Sequence, residues 1–127
     1  IKNCNLQPVI HIPDKSIMID GNEDLLLRML GNLLTNVLRY AKESFEISLV
    51  EIEKDGRVCE LSFKNVLMPG QDVDETRIFD RTYRGEEARS NQGTGLGLYI
   101  VKLLAMKQEA EVFARKEESS LRIGIRF

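Results

Sequence analysis

Two asparagines four residues apart, Asn32 and Asn36, lie in the stretch "GNLLTNVLRY", with Arg39 and Tyr40 close behind. If the segment is helical, that spacing puts Asn32, Asn36 and Tyr40 on one stripe, with Arg39 beside Asn36. Asparagine is an indifferent helix former because its amide competes with the backbone for hydrogen bonds. The pair therefore has two readings. Both amides simply face water, or they do chemistry. An amide oxygen is a hard, neutral donor suited to Mg2+, which prefers oxygen and keeps several waters while it bridges to phosphates. In that second reading Asn36 is the candidate metal ligand, Arg39 meets a phosphate and Tyr40 stacks on a base, a contact worth about 1–3 kcal/mol.

A second constellation is "NQGTGLGLYIVKLLAMK", in which Gly93, Gly95 and Gly97 run directly into an apolar helical pattern. Glycine lets backbone N–H groups approach an anion closely, and a helix N-terminus favours negative charge there. The spacing matches neither standard phosphate motif. A P-loop needs G-x-x-x-x-G-K-[ST], and a dinucleotide-binding turn needs G-x-G-x-x-G directly after a strand. What remains is the general mechanism of free N–H groups and a helix dipole aimed at an anion, about 0.3–1 kcal/mol per contact. Between the two constellations stand Arg77, Arg81, Arg84 and Arg89. They are either solvated loop charges or ligands for phosphate, since hydrogen bonds to charged groups contribute about 1.5–3 kcal/mol.

The elements that position these residues follow from periodicity. "PVIHIP" is a short strand bounded by prolines, and Asp20-Gly21-Asn22 is a turn that caps a helix over Glu23 to Ala41. Alternation over Phe45 to Lys54 and Arg57 to Asn65, joined by Asp55-Gly56, predicts a β-hairpin. From Val66 to Gly93 no sustained strand or long helix is predicted, apart from a short turn around Asp74 to Phe79. Loops of that length are usually functional. A helix over Leu96 to Lys107 and strands over Glu111 to Arg115 and Leu121 to Phe127 complete the chain. The expected fold is an α/β (α+β) two-layer sandwich, with a mixed, mainly antiparallel sheet covered by helices on one face.

Composition bounds the function classes. The 127 residues suit one domain, and 43% hydrophobic with 30% charged residues is an ordinary globular mix. A net charge of −2 gives no basic field to recruit nucleic acid. Cys4 and Cys59 lack metal-ligand spacing and read as reduced thiols. No apolar run has the length of a membrane span, and no signal peptide is visible. Because the chain does not begin with Met, it reads as a mature fragment or an excised domain.

Three of these stretches resemble the motifs of bacterial sensor histidine kinases. "GNLLTNVLRYA" looks like their N box, "IFDRTYRGEEARS" like their F box and ATP lid, and "QGTGLGLYIVKLL" like their G2 box, in the family's order and spacing. The resemblance implies a Bergerat-type fold with a long ATP lid, here about residues 66–93 of a single domain 1–127. It implies ATP and Mg2+ as cofactors. Asn36 matches the Mg2+-binding asparagine and Asn32 its partner one turn earlier. Arg39 matches the phosphate-binding basic residue and Tyr40 the aromatic beside adenine. Phe79 matches the F-box phenylalanine. Arg84, Arg89 and Gln92 match lid positions that reach the terminal phosphates. Gly93, Thr94, Gly95, Leu96, Gly97 and Leu98 fall in the G2 box, where the glycines hinge the lid and the leucines lie beneath the nucleotide.

One position departs from the family pattern. Where relatives carry D-x-G-x-G this chain reads "FKNVLMPG", so Asn65 stands in place of the adenine-binding Asp. Its amide oxygen can accept the adenine amino proton and its NH2 can donate to a ring nitrogen. The sole histidine, His11, sits in a strand without the acceptor motif's acidic neighbour and reads as structural. The implied activity is transfer of the γ-phosphoryl group of Mg-ATP to a histidine on an adjoining dimerisation domain, with Asn36, Arg84 and Arg89 as catalytic residues. The implied partners are that domain and a downstream response regulator. The parent would be a membrane-anchored homodimer, with this domain cytoplasmic and monomeric alone. A non-catalytic regulatory domain of the same fold and a gyrase-type ATPase are the alternatives.

Overall fold

A computed structural model of the chain describes residues 9–19, 21–40, 45–67, 73–81 and 97–127, without the side chains of Arg39 and Tyr40. The strands are β1 (Val9–His11), β2 (Phe45–Lys54), β3 (Arg57–Val66), β4 (Glu111–Glu117) and β5 (Ser120–Arg126), and the helices are α1 (Glu23–Tyr40) and α2 (Gly97–Lys107). The strands form one sheet in the order β1-β2-β3-β5-β4, with β1 parallel to β2 and every other pair antiparallel. The mixed, mainly antiparallel sheet expected from the pattern is the sheet observed.

Strand register decides which residues meet the helices. Leu61, Phe63 and Asn65 of β3 stand opposite Ile125, Ile123 and Leu121 of β5, and Phe63 and Asn65 stand opposite Ile47 and Phe45 of β2. Opposed residues share a face, so this row points one way. It packs with Met29, Leu33 and Val37 of α1 and Leu98, Val101, Leu104 and Ala105 of α2 in the hydrophobic core. Asn65 is the amide at the end of an otherwise apolar row.

The opposite face is polar and held by ions. Arg122, 13% exposed, donates to Ser62 Oγ at 2.7 Å, Glu117 Oε2 at 3.0 Å and Glu46 Oε1 at 3.2 Å. Arg126 donates to Glu60 Oε1 at 3.0 Å and Glu111 Oε1 at 2.9 Å, and its guanidinium lies 4.2 Å from the Phe113 ring centre. Phe113 can lie over the sheet because Gly124 beneath it has no side chain.

Local chemistry fixes the element ends. Asp55 (φ 52°) and Gly56 (φ 78°) make the β2–β3 turn with two positive φ values, as a tight hairpin requires. Asn22 caps α1, its Oδ1 accepting from Leu25 N–H at 3.1 Å, with Glu23 and Asp24 in the first turn complementing the helix dipole. α2 ends in a Schellman motif. Ala110 N–H donates to Ala105 O at 2.9 Å and Glu109 N–H to Met106 O at 3.2 Å, around a left-handed Glu109 (φ 58°). The Arg57 guanidinium donates to the Glu109 carbonyl.

The ends of the last two strands need correction. The last hairpin pairs through Glu117 and Ser120 around Glu118 (φ 57°), so β4 runs two residues beyond Arg115 and β5 ends at Arg126. Beyond Val66, the short turn expected around Asp74 to Phe79 is present. Leu67 N–H donates to Ser119 O at 2.7 Å, residues 75–79 form hydrogen-bonded turns, and Val73 and Phe79 are buried in the core. His11 lacks the motif's following acid, as expected, while Glu46 Oε2 from β2 lies 3.8 Å from its Nε2, a contact invisible in local sequence.

Gly124→Ala should cost about 1–3 kcal/mol, as overpacking does, because a Cβ there would lie 2.4 Å from the Leu61 carbonyl oxygen and 2.7 Å from the Phe113 ring. Denaturant unfolding measures it, and an unchanged midpoint would contradict the close approach. A second test uses pH. Hydrogen bonds from Arg115 and Arg122 hold the Glu117 carboxyl below its usual range. A depressed folded-state pKa adds stability that is present above the ordinary glutamate pKa of about 4.3 and lost as pH falls through the folded value. Glu117→Gln should therefore flatten the acid side of the stability–pH profile below roughly pH 5. It should leave the shape near neutrality unchanged, and an unaltered acid limb would refute the assignment.

Candidate functional site

The described candidates Asn36, Asn65 and Gly97 come to one end of the sandwich by chain connectivity. The 41–44 link joins the end of α1 to Phe45, and a link of that length reaches at most roughly 18 Å. Phe45 stands opposite Asn65 in the sheet. The C-terminal turns of α1, which carry Asn36, therefore lie at the same sheet end as Asn65. α2 packs beside α1, and Gln108 just past its end is bonded to Asn22 at the start of α1. The helices thus run in opposite directions, and Gly97 opens α2 toward the Asn36 end.

Asn32 and Asn36 border the buried stripe of Met29, Leu33 and Val37 and are half-buried. Asn65 is only 4% exposed. None of these three amides forms a side-chain hydrogen bond among the described residues. No described side-chain N or O atom is both sealed from solvent and unpaired, so the Asn65 amide keeps access to the surface. It lines a recess with Val9, Phe45, Lys64, Val66 and Ser120. An amide at the end of an apolar row that still reaches the surface is able to exchange hydrogen bonds with water or with a bound molecule.

Leu98 is buried beneath this end of α2, and Phe79 is buried in the same core. Arg77 Nε lies 3.6 Å from Asp80 Oδ2 within its own turn, and Arg81 is exposed. Arg84, Arg89, Gln92, Gly93, Thr94, Gly95 and Leu96 lie outside the described residues, as do the side chains of Arg39 and Tyr40. Among the described residues no group of three or more His, Cys, Asp or Glu could hold a metal. The donor set on offer is amide oxygen, which fits a Mg2+ ion held largely by phosphates and water rather than by a protein cage.

The turn that leads away from the sheet is fastened in ways local sequence only half reveals. Asp74 Oδ1 accepts from Thr76 N–H at 3.0 Å and from its hydroxyl at 2.6 Å, and these bonds hold the carboxyl below its usual range. That pattern is readable as D-x-T. Glu75 Oε2 accepts from Lys116 N–H on β4 at 2.9 Å, a contact across 41 positions that sequence does not announce.

The family model for "Histidine kinase-, DNA gyrase B-, and HSP90-like ATPase" matches residues 21–127. The chain belongs to this ATPase family. Sensor histidine kinase WalK of Bacillus subtilis is 26% identical over 118 residues, covering 89% of this chain and 19% of WalK. Sensor histidine kinase YcbM of the same organism is 34% identical over 109 residues, covering 84% of this chain and 35% of YcbM. The chain thus spans about a fifth to a third of these curated relatives. Among solved structures, the nucleotide-free catalytic domain of histidine kinase ThkA superposes with a TM-score of 0.76 at 16% identity, covering 99% of this chain and 80% of that one. Mycobacterial sensor histidine kinase MprB gives 0.71 at 20%, covering 99% and 84%. At such identities the structures share the fold, and they confirm the two-layer α/β architecture. Among the described residues no helix is long and apolar enough to cross a membrane.

Asn65→Leu separates ligand from scaffold. Replacing an unpaired amide by an apolar side chain of similar size should hold or raise the melting temperature by a few degrees, about 1 kcal/mol, while nucleotide binding falls. A marked drop in melting temperature would show that the amide has a structural partner.

Proposed function

We propose that residues 1–127 are a single ATP-binding and catalytic domain of a sensor histidine kinase, with the lid over about 66–93. The observation that carries this reading is the set of amides of Asn32, Asn36 and Asn65, which make no side-chain hydrogen bond among the described residues, at the sheet end where α2 begins. In this proposal Asn65 reads adenine, its oxygen accepting the amino proton and its NH2 donating to a ring nitrogen. Tyr40 lies beside the base and Arg39 meets a phosphate. Gln92, Gly93, Thr94, Gly95, Leu96, Gly97 and Leu98 line the phosphate side, where the backbone N–H groups that open α2 favour negative charge. Asn36 would hold Mg2+, whose contribution when bound is to neutralise phosphate charge. Arg84 and Arg89 steady the terminal phosphate.

The reaction is an in-line displacement. A ring nitrogen of a histidine on a partner domain attacks the γ-phosphorus, the bond to the β,γ-bridging oxygen breaks and ADP leaves. Positioning and charge stabilisation are the protein's main contributions. His11 is not the acceptor in this reading. The whole protein would be a homodimer that passes the phosphoryl group to a response regulator, with this domain on the cytoplasmic side of a membrane-anchored parent. Asn65 in place of an acid, with no G-x-G following, supports a second reading in which the fold is kept for regulation without catalysis.

The test is calorimetric titration of Mg-ATP, followed by acid-labile phosphoryl transfer to the dimerisation domain of the same parent. Binding with transfer is expected. Asn36→Ala should weaken Mg-ATP binding about tenfold or more, from about 1.5–3 kcal/mol for a contact to a charged group, and should abolish the difference between Mg2+ and EDTA. Asn65→Asp should tighten binding by about 1 kcal/mol. Binding without transfer would favour the regulatory reading, and label on His11 would overturn the assignment of roles.

A further inference from the structure

At the end of the helix pair remote from the candidate site, one side chain joins both helices. Gln108 follows the last residue of α2 and caps it. Its Oε1 accepts from Asn22 N–H at 2.8 Å, its Nε2 donates to Leu104 O at 3.3 Å, and Nε2 lies 4.0 Å from Met29 Sδ. Asn22 is itself the N-cap of α1 through Leu25 N–H, and its carbonyl accepts from Leu26 N–H at 2.9 Å. A single amide thus ties the first turn of α1 to the last turn of α2. Gly21 belongs to the same junction, since a Cβ there would lie 2.8 Å from Gln108 Oε1.

Nothing else described between these helices is as directional. The two helices are in contact, and Met29, Leu33, Val101, Leu104 and Ala105 from them are buried in one hydrophobic cluster. Apolar burial resists separation but is non-directional, so it tolerates sliding along the axes. Hydrogen bonds weaken steeply once stretched or bent. Helices are stiff rods with a fixed rise of about 1.5 Å per residue. A register set at one end is therefore delivered to the other, where α1 carries Asn36 and α2 begins at Gly97.

We infer that Gln108 is a positioning residue for the nucleotide site: it sets the axial register of α1 against α2, and with it the placement of Asn32 and Asn36 relative to Gly97 at the start of α2. The inference rests on the nucleotide reading above for its consequence, and on the described contacts for its geometry. Gln108 touches no nucleotide.

The experiment compares Gln108→Ala, Gln108→Glu, Gly21→Ala and the double variant Gly21→Ala/Gln108→Ala with the parent. Two readouts are taken well below the melting temperature: Mg-ATP affinity by calorimetry, and backbone amide shifts of Asn32, Asn36 and Leu98 by NMR without nucleotide. Gln108→Ala and Gly21→Ala should each weaken Mg-ATP binding several-fold and move those distant amide signals. Gln108→Glu keeps the acceptor for Asn22 N–H while losing the Nε2 contacts, so its affinity should stay closer to the parent than that of Gln108→Ala. In the double variant the added methyl has nothing left to displace, so it should behave like Gln108→Ala alone. Lower melting temperature with unchanged affinity and unchanged distant amides would reduce Gln108 to a structural cap and overturn the inference. If the parent itself binds no Mg-ATP, the nucleotide reading fails, and the amide shifts alone decide the register: movement supports the clamp, stillness refutes it. If Gln108→Ala does not fold, Gly21→Ala and Gln108→Glu decide the same question.

Discussion

The domain depends on one sheet face being sealed by helices while the other stays in contact with water. The central strands β3 and β5 turn Phe63, Leu121, Ile123 and Ile125 toward α1 and α2, and all four are buried. Among the alternate residues on the same strands are Ser62, Arg122 and Arg126; Arg122 binds Ser62, Glu46 and Glu117, and Arg126 binds Glu60 and Glu111 across the outer face. Because side chains alternate strictly along a strand, a slip of one residue would drive arginines into the core. The register is thereby fixed, and so is the position of Asn65 at the end of the inward row. Among the described residues that amide makes no side-chain hydrogen bond, so its position is set by the packing of its neighbours.

How much of this was legible in the chain depended on the range of the interactions. Local periodicity places α1, β2 and β3 to within a residue, since Leu33, Val37 and the Phe45–Lys54 alternation report burial directly. Asp55-Gly56 announces its turn. The ends of β4 and β5 escape such a reading because Lys116 and Glu117 look like loop residues. They are strand residues on an edge, where charged side chains are tolerated and the ladder with β5 decides the conformation. Val73 looks like part of a bare loop, because a single buried apolar residue has no period to reveal it.

The candidate site was legible as motifs and only partly as geometry. The asparagines of α1, Asn65 and the glycine before Leu98 are far apart in sequence, and only the topology brings their elements to one end of the sheet. What sequence missed were side chains whose role is to hold elements together over long separations. Gln108 spans 86 positions to reach Asn22. Glu75 spans 41 to reach Lys116. Neither type nor neighbourhood marks such residues, since glutamine and glutamate are ordinary at exposed positions.

The Glu75 contact bears on solubility. β4 is an edge strand, and an outward N–H on a sheet edge is the group through which a foreign strand adds. The Glu75 carboxylate occupies the N–H of Lys116 and puts negative charge beside it. The same turn that is rooted in the core by Val73 and Phe79 thus covers part of an open edge. Lifting that turn away would uncover a polar backbone group with nothing but water or another chain to bind it. The turn at 73–81 thereby leaves one fewer open N–H on the β4 edge for another strand to pair with.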